Sequence, residues 1–101
     1  MSQTIQKLTQ STNSGIVSAT TAVAANEARV SYEIQNLGTN ALFVKEGASG
    51  STSDFTRVLA AGTGNDNGTG GSYETPAGQV YTGVITIAGT SPRYIISEKS
   101  E

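Results

Sequence analysis

The chain has 101 residues, enough for one domain with a real core. Hydrophobic residues, alanine included, make up 36%, charged residues only 14%, and the net charge is −2. The six basic residues (Lys7, Arg29, Lys45, Arg57, Arg93 and Lys99) are dispersed among eight acidic ones. Without a basic cluster to neutralise phosphates, no role in binding nucleic acid is expected.

In chain order, the first dozen residues are rich in Ser, Thr and Gln, with Ile5 and Leu8 nearly alone as large apolar side chains. They read either as a frayed terminus or as an extended arm that orders against a neighbour. Val17, Ala19, Thr21 and Val23 alternate with smaller residues and predict a strand. Residues 28–35, Ala-Arg-Val-Ser-Tyr-Glu-Ile-Gln, alternate without interruption. Ala28, Val30, Tyr32 and Ile34 are therefore expected on a core face, and Arg29, Ser31, Glu33 and Gln35 on the opposite one. Asn36 to Asn40 is a turn signal, and residues 41–45 resume extended structure. Phe43 and Val44 are adjacent, so one of them must face away from the core of this sheet. Residues 55–59 predict a strand pairing with 41–45 as an antiparallel hairpin.

Residues 60–72 form a glycine-rich loop able to lie close to another backbone. Residues 73–75 predict a brief strand, 80–88 a longer one, and 94–97 the last, with a charged tail from Glu98. Several short strands separated by turn clusters indicate an all-β fold. The expectation is a small antiparallel β-sandwich or barrel-like domain with an extended N-terminal arm. Residues 1–27 would be the arm plus first strand, and residues 28–101 the body.

Chemistry is sparsely represented. The chain has no histidine and no cysteine, which removes the commonest general base and the usual zinc ligands. Among Glu27, Glu33, Glu46, Asp54, Asp66 and Glu74, nothing in the sequence pairs two carboxylates for hydrolysis. The loop Gly62 to Gly68 lacks a P-loop lysine and offers a single acid, Asp66, for calcium. Its expected role is a turn. No enzyme activity, cofactor or metal site is expected. Tyr32 and Tyr94 are expected in the core, with their hydroxyls at the rim. Tyr73 and Tyr81 are expected to be exposed, which leaves a carbohydrate-binding module as one alternative. Met1 is followed by Ser-Gln-Thr, without the basic and apolar regions of a secretory signal. No apolar run has the length of a membrane helix, so no membrane insertion is expected.

Two stretches carry a resemblance. Residues 32–45, Tyr-Glu-Ile-Gln-Asn-Leu-Gly-Thr-Asn-Ala-Leu-Phe-Val-Lys, resemble small virion structural proteins of tailed bacteriophages. Residues 81–94, Tyr-Thr-Gly-Val-Ile-Thr-Ile-Ala-Gly-Thr-Ser-Pro-Arg-Tyr, resemble the same group. The resemblance spans roughly residues 28–98 and carries no catalytic motif. It implies a head decoration or cement protein that binds neighbouring subunits of the major capsid protein. Such a protein would be made in the host cytoplasm and reside on the capsid surface of the virion. A homo-oligomer is expected, with a trimer favoured at symmetry axes of the shell. The expected interface residues are Ile5, Leu8, Ile16 and Val17 on the arm and Phe43 on the body. A tail, neck or fibre component of the virion is the second alternative.

Overall fold

A computed structural model describes residues 10–76 and 78–101. Eight strands are present among them: β1 (Gln10–Asn13), β2 (Thr21–Val23), β3 (Arg29–Asn36), β4 (Leu42–Glu46), β5 (Arg57–Leu59), β6 (Ser72–Glu74), β7 (Ile85–Ala88) and β8 (Tyr94–Ser100). They form two four-stranded antiparallel sheets, ordered β1-β8-β3-β6 and β2-β7-β4-β5. The sheets pack as a sandwich, as the all-β reading anticipated. Each connection between described strands passes from one sheet to the other except the β4–β5 hairpin.

Alternation explains the core. Tyr32, Ile34, Tyr94 and Ile96 point inward from one sheet, and Leu42, Val44, Leu59, Ile85 and Ile87 from the other. All are buried, so the large apolar residues of a chain poor in them are concentrated between the layers. Val17, Val23, Tyr73 and Tyr81 close the margins of this cluster.

Alternation fails at the start of β3. The register steps from Arg29↔Ser100 to Ser31↔Lys99, so one extra residue is accommodated there as a bulge. A bulge reverses which face the preceding residue uses. Arg29 therefore turns inward and is 2% exposed, instead of sharing the outer face with Glu33. Its guanidinium also accounts for the late start of β7. The carbonyls of Tyr81 and Gly83 accept from Arg29 Nη1 at 2.7 and 3.0 Å, and that of Thr82 accepts from the Asn26 amide. Residues 81–83 are thus tied to the β2–β3 connection and lie outside the β7 ladder.

Two other elements differ from expectation. The predicted strand from Val17 to Val23 is divided: Val17 bridges Tyr94 in one sheet, and β2 belongs to the other. The chain changes layers between them. β8 continues through Glu98 to Ser100 because β1 and β3 flank it on both sides. The charge of Glu98 is met by Arg29, with Nε to Oε1 at 2.5 Å. Residues 10–13, read as part of the arm, form an edge strand of the body.

The glycine-rich loop approaches another backbone as its composition suggested. Asn36 donates its amide to Gly71 O, and Gly71 donates to Ala60 O, both at 2.9 Å. A Cβ on Gly70 would overlap the Asn36 carbonyl oxygen. The buried Asn36 side chain anchors the same junction, donating to the carbonyls of Asn40, Leu59 and Ala60. Asp66 takes a left-handed φ of 60° in the turn, a conformation that Asp tolerates.

Candidate functional site

Polar chemistry inside the sandwich is internally satisfied. Tyr32 donates its hydroxyl to Glu46 Oε2 at 2.6 Å. Arg57 donates to that hydroxyl and to the same carboxylate oxygen, and its guanidinium lies 3.6 Å from the Tyr73 ring centroid. Burial, reinforced by the Glu46 carboxylate, pushes the Tyr32 phenol well above its usual pKa. Burial also raises Tyr94, opposed in part by the hydrogen bond its hydroxyl shares with Thr21. At the loop end, Arg93 makes a two-pronged contact with Asp66 at 2.6 and 2.7 Å. The hydrogen bond from Arg93 holds the Asp66 carboxyl below the ordinary aspartate range. Among the described residues no buried side-chain polar atom lacks a partner, and no group of three acidic side chains gathers as a metal cage.

Tyr73 and Tyr81, expected to be exposed, are half-buried against the core. Tyr73 has one neighbour in the Arg57 guanidinium and another in Tyr32, whose ring centroid is 5.5 Å away. It is therefore part of the sandwich margin, and its position offers no open stacking platform.

The outer surface supplies a clearer feature. Leu42 and Val44 are fully buried, so Phe43 between them points outward. Its partners in register are Ala88 on β7 and Val58 on β5, giving an apolar row across three strands. Phe55, just before β5, packs edge-on against Phe43 with centroids 4.9 Å apart. Phe55 is 41% exposed and Val58 49%, among the largest apolar exposures in the described chain. Lys45, next on the same face, is neutralised by Asp54 at 2.6 Å. The patch is thus apolar, aromatic and without uncompensated charge at its border.

Of the residues singled out in the sequence, Phe43 is in this patch. Ile16 is exposed and Val17 packs against the core beside Tyr94, on the other side of the sandwich. Ile5 and Leu8 lie outside the described residues. Phe55 and Val58 were missed. Their signal was the β4–β5 hairpin itself: pairing that places Val44 opposite Arg57 sets Val58 beside Phe43. Comparison with protein-family models, with curated proteins and with solved structures finds no match to this chain.

Proposed function

We propose that this chain is a virion structural protein that decorates and cements a phage capsid by binding neighbouring subunits. The observation that carries this reading is the outward apolar patch of Phe43, Phe55 and Val58. A contiguous apolar patch beside satisfied charges favours contact with another protein, because little desolvation of ions opposes it. The resemblance of residues 32–45 and 81–94 to small phage virion proteins supports the same assignment. On this reading the function is binding energy, without turnover.

The two outer faces divide the work. The row on β4 and β5 holds subunits to one another. The opposite outer face presents Ser31, Gln35, Ser72 and Ser97 together with the charged Glu33, Glu74 and Lys99, a polar face suited to lying on a shell. Repeated weak contacts of an oligomer then add as avidity.

The test is to add purified chain to heads assembled without it and to image the particles. Stoichiometric density over the shell, with raised resistance of heads to heat, is the expected result. A few copies at one vertex would assign the chain to the neck or tail. Glycan affinity without head binding would replace the reading with a carbohydrate module.

A further inference from the structure

The glycine-rich loop holds a reactive pair. We propose that Asn67 is a self-modifying site, at which the folded loop closes a cyclic imide with Gly68 and releases ammonia. The products are aspartate and iso-aspartate at position 67. The reaction is independent of any role on a capsid.

The other asparagines of the chain show what sets this one apart. Asn13, Asn26, Asn36 and Asn67 each curl the side chain back to accept the amide two residues on, at 2.7, 3.1, 2.9 and 3.2 Å. Such a turn brings the side-chain amide over the backbone of the next residue. Imide closure needs the nitrogen of that next residue as nucleophile. After Asn13 and Asn36 this nitrogen is engaged: Ser14 donates to Ile96 O at 2.9 Å, and Leu37 to Arg93 O at 2.8 Å. After Asn26 stands Glu27, whose side chain hinders closure and whose charge repels hydroxide. After Asn67 stands Gly68, which is exposed. Its amide makes no hydrogen bond among the described residues. A Cβ built on Gly68 would meet nothing within 4 Å, so the approach is open. Glycine also permits the backbone rotation that closure demands.

The electrophile is prepared as well. Besides the Thr69 amide, Asn67 Oδ1 accepts from the Thr69 hydroxyl at 2.6 Å. That hydroxyl accepts from the Thr63 amide at 2.7 Å, which directs its proton to Asn67. Both donors polarise the side-chain carbonyl and face the charge that develops on Oδ1 when nitrogen adds. Asn67 Nδ2 donates to Thr63 Oγ1 at 3.0 Å, which holds the leaving amine on the Thr63 side of the loop.

Only water and hydroxide are consumed. Hydroxide removes the Gly68 amide proton, the nitrogen bonds to Asn67 Cγ, and the bond from Cγ to Nδ2 breaks. The amine takes a proton from water and leaves as ammonia. Water then opens the imide at Cγ, giving aspartate, or at the backbone carbonyl of residue 67, giving iso-aspartate. Nothing is oxidised or reduced. Each event adds one negative charge, beside Asp66, to a chain of net charge −2.

The experiment incubates the purified chain at mildly alkaline pH and follows it by peptide mapping with mass spectrometry, which locates the exchange of NH2 for OH. Methylation by an iso-aspartate methyltransferase reads the iso-aspartate form. The same chain unfolded in guanidinium chloride supplies the rate of the bare Asn-Gly pair. Conversion at position 67 is expected to rise with pH and to run about tenfold faster in the folded chain, as for a pre-oriented pair. Asn13, Asn26 and Asn36 should lag far behind. Thr69→Val removes the hydroxyl donor and should erase most of the folded chain's advantage, whereas Thr69→Ser keeps the donor and should restore it. Melting curves check that both variants fold, and the folded-against-unfolded comparison needs neither. A folded chain that converts no faster than the unfolded one, or a folded Thr69→Val chain that converts faster than wild type, would show that these hydrogen bonds protect Asn67 and would overturn the proposal.

Discussion

Arg29→Met is the sharpest perturbation of this fold. Arg29 donates to Glu98 at 2.5 Å, to the carbonyls of Tyr81 and Gly83, and to that of Ala24 at 3.1 Å. Its side chain is wholly buried, and that of Glu98 is 18% exposed. Methionine fills similar volume but leaves three carbonyls and one carboxylate without their donor. At ~1 kcal/mol for each bond to a carbonyl and ~2 for the one to the carboxylate, the loss is about 5 kcal/mol. Breaking a buried ion pair from one side costs ~3–5 kcal/mol, in agreement. A domain of this length has roughly 5–15 kcal/mol in total, so the variant is expected near the limit of folding. At ~4–8 °C per kcal/mol the melting temperature should fall by about 20–40 °C. Urea titration and calorimetry read this directly. Glu98→Gln keeps an acceptor oxygen and should lose far less. An Arg29→Met chain within about 1 kcal/mol of wild type would refute the view that this guanidinium ties the two sheets and the 81–83 segment together.

Alkaline pH should selectively weaken the sandwich. A phenol raised above its unfolded pKa contributes stability that is fully present below about pH 10 and is lost as pH rises through its folded value. Tyr32 and Tyr94 are both raised, so melting temperature should fall steeply above that pH, and Tyr32→Phe should flatten the decline while costing ~1 kcal/mol at neutrality. Gly70→Ala should prevent the loop from seating, because its Cβ would overlap the Asn36 carbonyl oxygen. Gly68→Ala meets no atom and, with φ at 79°, should lose only ~1 kcal/mol, a contrast readable by thermal melting. Glu33 and Glu74 face each other across β3 and β6, and neither makes an ion pair among the described residues. Glu74→Lys should therefore stabilise by ~0.2–1 kcal/mol in urea titration, and a loss would show that the pair is compensated in another way.

Much of the architecture was written in local alternation. Tyr32 and Ile34, Leu42 and Val44, and Ile85 and Ile87 are inward at the spacing that a half-buried strand requires, and Asn-Gly clusters fall between strands. That a residue beside Val44 must face outward was also legible, because neighbours on a strand cannot share a face. The sequence by itself therefore determined an all-β chain and the absence of histidine and cysteine chemistry. It placed Tyr32 and Ile34 inward, whereas Ala28, expected inward, is exposed and Val30 lies outside the core cluster. It could not determine which strands meet, since pairing depends on contacts between distant segments. The bulge that turns Arg29 inward, the extension of β8 through Glu98, and the row joining Ala88, Phe43, Val58 and Phe55 are of this kind. Each rests on register between strands far apart in the chain, and register is decided by the collective packing of both sheets.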